Sequence, residues 1–128
     1  MKHDEITEII LECAFEVHSQ LGPGLMESCY EIPLVYELRL RGLKVEQQKE
    51  LPLIYKGKKL GKTYRIDILV ENKIIIEVKA VEYLMDIHTA QLLTYMKLTN
   101  CQVGLILNFN VPSMRKGIKR VVRNYNPE

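Results

Sequence analysis

Asp67, Glu77 and Lys79 are the residues whose types and spacing suit chemistry. They lie in the stretch Tyr-Arg-Ile-Asp-Ile-Leu-Val-Glu-Asn-Lys-Ile-Ile-Ile-Glu-Val-Lys, residues 64 to 79. Two β-rich runs, Tyr64–Val70 and Ile74–Lys79, flank a short polar link, which is the pattern of a hairpin. A two-residue loop, Glu71-Asn72, would mix charged with apolar side chains on both faces. A three-residue loop, Glu71-Asn72-Lys73, pairs Ile66 with Val78, Ile68 with Ile76 and Val70 with Ile74, and makes one face wholly apolar. A slip of one residue turns every side chain to the other face, so burial selects the second register. Asn72 tolerates the left-handed conformation such a loop needs. The opposite face then carries Asp67 across from Glu77 and Arg65 across from Lys79. Like charges directly across a ladder are destabilising, and broken local rules gather at functional sites. A divalent cation would relieve the carboxylate pair, and Lys79, two residues beyond Glu77, points to the same side. On spacing alone, the same residues also fit a solvent-exposed sheet face on which Asp67 and Glu77 merely meet water.

The elements that must position these groups follow from periodicity. Asp4 is placed to cap a helix to about Gln20, whose apolar stripe is Ile6, Ile9, Ile10, Cys13, Ala14, Val17 and Leu21. Gly22-Pro23-Gly24 ends it. A second helix is expected from about Leu25 to Arg41, closed by Gly42, with Met26, Tyr30, Leu34 and Leu38 buried. Glu27, three residues before Tyr30 and seven before Leu34, falls on that inward side; first-turn acids also stabilise a helix dipole. Pro33 predicts a kink or a split in this helix. Leu43–Tyr55 reads as a half-exposed strand, with Pro52 implying an edge or a bulge, and Lys56-Gly57-Lys58 as a turn. Tyr64, Ile66, Ile68 and Val70 are expected together on the core side. Asp86 is placed to cap a third helix, about Ile87 to Thr99, with His88, Gln91 and Tyr95 on one side. Val103–Phe109 is apolar at nearly every position, as in a strand covered on both faces. Strand, helix and strand from Ile74 to Phe109 form a βαβ unit, so those two strands should be parallel. A short last strand, Gly117–Arg123, completes the order α-α-β-β-β-α-β-β.

The chain of 128 residues is read as a single domain, long enough to bury a real core without staples. No apolar run approaches a membrane span, and the first residues lack a signal-peptide core. Cys13, Cys29 and Cys101 are widely and irregularly spaced, which fits reduced thiols in a cytoplasmic protein and argues against a zinc site. The net charge of +2 is uneven. Residues 1–86 hold twelve Lys/Arg and fifteen Asp/Glu, whereas residues 87–127 hold Lys97, Arg115, Lys116, Lys119, Arg120 and Arg123 and no acid. Such asymmetry suggests a footprint for a polyanion; a basic tail that aids solubility would look the same.

Asp67, followed after nine residues by Glu77-Val78-Lys79, resembles the D…E-x-K core of the PD-(D/E)XK nuclease superfamily. Gly24-Leu25-Met26-Glu27-Ser28-Cys29-Tyr30 resembles the G-x-x-E-x-x-Y stretch that names one family of small proteins within it. Gln91-Leu92-Leu93-Thr94-Tyr95 resembles the Q-x-x-x-Y motif of the exonuclease-like branch, and the run from Gly104 through Asn108-Phe109-Asn110 to Gly117-Ile118 is also similar. Ile66 stands where the superfamily's name has proline. The resemblance spans about residues 4 to 123. It implies an α/β (α+β) fold with a restriction-endonuclease-like core, a mixed sheet flanked by helices, and a metal-dependent nuclease acting on DNA. Asp67, Glu77 and the Val78 carbonyl would then hold Mg²⁺, or Mn²⁺, and Lys79 would orient or activate water. Glu27 would approach as an outer ligand or a water-positioning acid, and Gln91 and Tyr95 would hold phosphate or the metal's water shell. Arg115, Lys116, Lys119, Arg120 and Arg123 would contact the nucleic-acid backbone. So small a domain has little surface for gripping a duplex, so a homodimer is expected. The rival from another class is a catalytically silent nucleic-acid-binding or protein-interaction module on the same fold.

Overall fold

A computed structural model describes residues 1–127, the Thr63 side chain apart. The elements follow the expected order: α1 (His3–Leu21), α2 (Glu27–Leu40), β1 (Val45–Tyr55), β2 (Lys58–Val70), β3 (Ile74–Lys79), α3 (Asp86–Thr99), β4 (Val103–Asn108) and β5 (Ile118–Val122), with a short 3₁₀ turn, Met114–Gly117, before β5. The strands form one mixed sheet in the order β1-β2-β3-β4-β5. β3 and β4 are parallel, as the βαβ pattern requires, and the other neighbours are antiparallel. The fold is therefore α+β, a mixed sheet with helices on both faces.

α1 and α2 cover one face, burying Ile6, Ile10, Tyr30, Leu34 and Leu38 against Ile68, Val70, Ile74, Ile76, Leu105 and Leu107. α3 covers the other, where Leu92 and Met96 meet Ile66, Leu69, Ile75 and Ile106. The face that carries Glu77 is thus also a second apolar layer over much of its length, because both faces of β3 and β4 are roofed by helices.

The predicted loop is present: Val70 pairs with Ile74 and Ile68 with Ile76, and Glu71 and Asn72 both take left-handed backbone angles. The pairing of Ile66 with Val78 is not formed; the β2–β3 ladder ends at Ile68 and Ile76. Ile66 also departs from the expected face. It joins the α3 layer with Leu69, while Ile68 and Val70 join the helical layer opposite. Regular alternation would keep Ile66 with Ile68, so the strand slips by one residue across Asp67.

All three helix starts differ from the sequence-based expectation. α1 begins at His3, with Lys2 at the cap position and Asp4 inside the first turn. α2 begins at Glu27 and not near Leu25, which leaves Met26, expected in the buried stripe, at the cap position and exposed. α3 begins at Asp86 itself, and the N–H of Met85, the residue before it, donates to His88 Nδ1 at 3.0 Å. Asp4 and Asp86 stay where a helix dipole favours them. Pro33 neither splits nor ends α2. It removes only the bond that its N–H would make to Cys29, and Cys29 is exposed, so water can satisfy the freed carbonyl. Pro52 lies on the edge strand β1 at a register shift, as expected.

Candidate active site

The site is built where β2 and β3 part. Beyond the Ile68–Ile76 pair, side chains take over the missing ladder bonds. The Asp67 N–H donates to Glu77 Oε2 at 2.9 Å, and the Val78 N–H donates to Asp67 Oδ2 at 2.8 Å. Each carboxylate thus accepts a backbone N–H from the neighbouring strand. This reciprocal pair holds the two acids side by side, close enough that the charge of Asp67 acts on Glu77. The Val78 carbonyl leaves the same edge of β3 as its N–H, toward the opened gap.

Burial sets the electrostatics. Glu77 is only 6% exposed, and its carboxyl is pushed up to about 8, first by desolvation and then by the charge of Asp67. Asp67 is also raised by burial; the Val78 N–H pulls it down and the Glu31 charge pushes it up again. Lys79, two residues past Glu77 on β3, favours the ionised form of both acids through its charge. Tyr95 on α3 reaches the same place. Its phenol is raised by burial and then by the charges of Glu77 and Asp67, so it remains a hydrogen-bond donor at neutral pH. The Tyr95 ring meets Tyr64 of β2 edge-on at 6.0 Å. Gln91, one turn earlier on α3, is exposed.

Glu31 and not Glu27 is the acid that α2 turns toward the site. Glu27 has the right helical phase, but it is the first residue of α2 and is exposed. Glu31 lies one turn further along, over the sheet, and is 7% exposed. Gln47 Nε2 donates to Glu31 Oε2 at 2.8 Å, and Gln48 Nε2 reaches both Glu31 oxygens at 2.8 and 2.9 Å. The Gln48 amide also bridges to Asp67 Oδ1 at 3.3 Å. Adjacent residues of a strand normally point to opposite faces. Here both glutamines of β1 serve one carboxylate because Gln48 takes a left-handed φ of 53°. Such strain in a non-glycine residue is characteristic of functional sites. An acid on the inward side of α2 was the available sequence signal for Glu31; the role of Gln47 and Gln48 had none.

The Gly24…Tyr30 stretch braces this helix. Tyr30 donates its hydroxyl to the Gly22 carbonyl at 2.7 Å and accepts the Leu25 N–H at 3.0 Å. Its ring stacks on Phe109 at 4.7 Å, nearly parallel. The loop between α1 and α2 is thereby tied to the residue that follows β4. Asn108, the last residue of β4 and the partner of Lys79, braces the other side. Its buried amide accepts from Val81 N at 3.1 Å and donates to Val81 O at 2.9 Å, fixing the chain as it leaves Lys79. Gly117 packs on the Asn108 carbonyl so closely that a Cβ would land on the oxygen.

The basic residues do not form one patch. Sheet register puts Glu77, Ile106 and Lys119 in one row across β3, β4 and β5, so Lys119 is about 10 Å from Glu77, two strand spacings, on the α3 face. Arg120 belongs to the next row, with Ile76 and Leu105, and turns to the opposite face. There it stands 3.9 Å from Asp4 and 5.1 Å from the Tyr125 ring. Arg115 and Lys116 are exposed on the 3₁₀ turn, and Arg123 follows β5, its N–H bonded to Gln102 O at 2.9 Å.

Among the described residues, no three His, Cys, Asp or Glu side chains converge as a ready-made metal cluster. The local chemistry nevertheless fits a hard cation. Asp67 and Glu77 present two buried carboxylates, each with one oxygen engaged by a backbone N–H, next to a backbone carbonyl. Oxygen donors of this kind suit Mg²⁺ and Mn²⁺.

Compared with known protein families, residues 4–121 match the model described as PD-(D/E)XK nuclease superfamily. The chain belongs to that superfamily. No curated protein and no solved structure matches it. The match covers every element described above, from α1 into β5. Superfamily membership supports phosphodiester hydrolysis on a nucleic-acid substrate, and PD-(D/E)XK nucleases generally use divalent metals. Among the described residues, no helix is long and apolar enough to cross a membrane.

Proposed function

We propose that this PD-(D/E)XK protein is a metal-dependent deoxyribonuclease whose working centre is Asp67, Glu77 and Lys79. The observation that carries this is the opened β2–β3 junction, where two buried acids are held together at a cost in desolvation and mutual repulsion. A fold has no structural need of such a pair.

Asp67, Glu77 and the Val78 carbonyl would hold Mg²⁺, or Mn²⁺. The chemistry a divalent cation supplies when bound there is Lewis-acid polarisation of the phosphodiester. Lys79 stabilises charge that develops on the phosphoryl oxygens and orients the attacking water. Tyr95 donates a hydrogen bond from its protonated phenol toward the same space, and Gln91 guards the outer rim. Glu31, held by Gln47 and Gln48, acts as a positioning residue, because its effect reaches Asp67 through the Gln48 amide. Lys119 lies on the site's face of the sheet and takes a backbone phosphate; Arg115, Lys116 and Arg123 extend that contact. Three unpaired cysteines suit a reducing compartment such as the cytoplasm. A homodimer would let two such centres address both strands of a duplex.

The test is metal titration by calorimetry on wild type and Asp67→Ala, followed by plasmid and single-strand cleavage with the same samples. Metal binding and cleavage that both vanish in Asp67→Ala, but not in Lys2→Ala, are the expected result. A protein that binds no metal even with nucleic acid present is not a metallonuclease. If salt-dependent DNA binding then survives Asp67→Ala, the chain is a nucleic-acid-binding module.

A further inference from the structure

α3 and the β1–β2 hairpin enclose a cavity that the site described above does not use. β2 pairs with β3 only over Ile68–Val70, so the earlier part of β2 and its partner β1 run on as a two-stranded ribbon to the turn at Lys56-Gly57. Between this ribbon and α3 lies a cavity of about 490 Å³, lined by Ile54, Tyr64, Thr94, Lys97 and Leu98. That volume is in the range of small-ligand sites. Among the described residues, no acid lines it. Lys97 stands on one wall, and Lys59, paired with Ile54 across the ribbon, shares that residue's face. Neither lysine is in an ion pair among the described residues. Residues 51–63 also hold Lys56, Lys58 and Lys62, all exposed, and no acid.

The cavity adjoins the Asp67–Glu77 centre. Tyr64 meets Tyr95 edge-on at 6.0 Å, and Tyr95 feels the charges of both acids. Tyr64 precedes Asp67 by three residues on β2, which is about 10 Å along a strand. That distance is about three stacked nucleotide steps, fewer for a stretched strand. We propose that the cavity is a base-binding subsite for single-stranded DNA. One unstacked base sits against the Tyr64 ring between Ile54 and Leu98, and Lys59 and Lys97 take the phosphates on either side. An aromatic ring and aliphatic walls suit the base, and two cations without a counter-charge suit its backbone. Stacking tolerates any base, since each has a π-face, so the subsite selects strand state and not sequence. A base inside an intact duplex is stacked and paired, and enters such a pocket only if extruded. Resting on the nucleic-acid reading of the neighbouring centre, the subsite adds that the strand is unpaired where it passes α3.

The experiment is fluorescence anisotropy in EDTA, where no strand is cut, with three labelled probes. They are an oligothymidylate of about 12 nucleotides, within the usual site sizes of single-strand grooves, an abasic strand of equal length, and a duplex of equal length. Wild type should bind the oligothymidylate about 10-fold more tightly than the abasic strand, the scale of one stacked base. Tyr64→Leu should lose that difference, Tyr64→Phe should keep it, and duplex affinity should be the same in all three proteins. Lys97→Ala should reduce the slope of log K against log salt by about 0.7 on the single strand. Equal binding of the thymidylate and abasic strands by wild type overturns the proposal. So does a Tyr64→Leu loss shared equally by the duplex, or the absence of any strand binding. These fates are separable from catalysis. Base-dependent binding without Mg²⁺-dependent cleavage keeps the subsite and removes the nuclease reading. Cleavage that Asp67→Ala abolishes, with no base dependence of binding, does the reverse.

Discussion

Replacing Glu77 by Gln should remove function and yet stabilise the protein in alkaline solution. In the unfolded chain this carboxyl titrates at its ordinary value of 4.5, and in the fold at about 8. Between these values the native state holds a proton that the unfolded chain releases, so stability falls as pH rises. The contribution is complete below pH 4.5 and lost as pH climbs through 8. At about 1.4 kcal/mol per pH unit over that interval, the loss is on the order of 5 kcal/mol. Gln keeps the acceptor oxygen for the Asp67 N–H and never ionises, so its stability should be nearly flat over the same range apart from the smaller effect of Asp67. At pH 5 the two proteins should melt within a few degrees of each other. At pH 9 the variant should melt on the order of 15 °C higher, using about 3–4 °C per kcal/mol for a chain of this size. The assay is thermal unfolding by circular dichroism from pH 4.5 to 9.5, with and without Mg²⁺. Added Mg²⁺ should raise the wild-type melting point at pH 8 and leave Glu77→Gln unmoved, because metal competes with the proton for the same oxygens. Parallel pH curves for the two proteins would show that Glu77 is not desolvated as described and would refute the reasoning.

Three further outcomes follow from the geometry. Glu31→Gln should cut cleavage by roughly 10–100-fold, as loss of a supporting shell does, whereas Glu27→Gln should match wild type; equal effects in a steady-state cleavage assay would return the role to Glu27. Asn108→Ala leaves the Val81 N–H and carbonyl without their partner, which should cost about 2–3 kcal/mol and show as a lower urea midpoint at unchanged slope. Lys119→Ala should weaken DNA binding and reduce the slope of log K against log salt by about 1. Arg120→Ala, facing Asp4 on the other side of the sheet, should change that slope little when both are measured by fluorescence anisotropy.

Much of the architecture was legible because it depends on period and on chain length. The three-residue loop at Glu71-Asn72-Lys73 followed from the apolar pairs Ile68–Ile76 and Val70–Ile74, since only that register buries them together. The parallel β3–β4 pair followed from a strand, a helix and a strand in succession. The D…E-x-K spacing was visible for the same reason: Asp67 and Glu77 sit opposite one another in the register that burial selects.

What the linear chain left open was where regularity breaks. Strand alternation predicts one side for Ile66 and Ile68, but Asp67 slips the phase so that its carboxylate can accept the Val78 N–H. Helical phase allows both Glu27 and Glu31 near the inward side of α2; the extent of the sheet beneath the helix decides that Glu31 is covered and Glu27 meets water. Gln48 reaches Glu31 only through a left-handed backbone angle, which no periodicity announces. The sequence by itself determined the family, the order of elements and the identity of the paired acids, because these rest on local spacing. Tertiary structure decided which acid completes the site, how far each carboxyl is pushed from its usual range, and that Lys119 and Arg120 part to opposite faces. Those depend on burial and on strands brought together from distant parts of the chain.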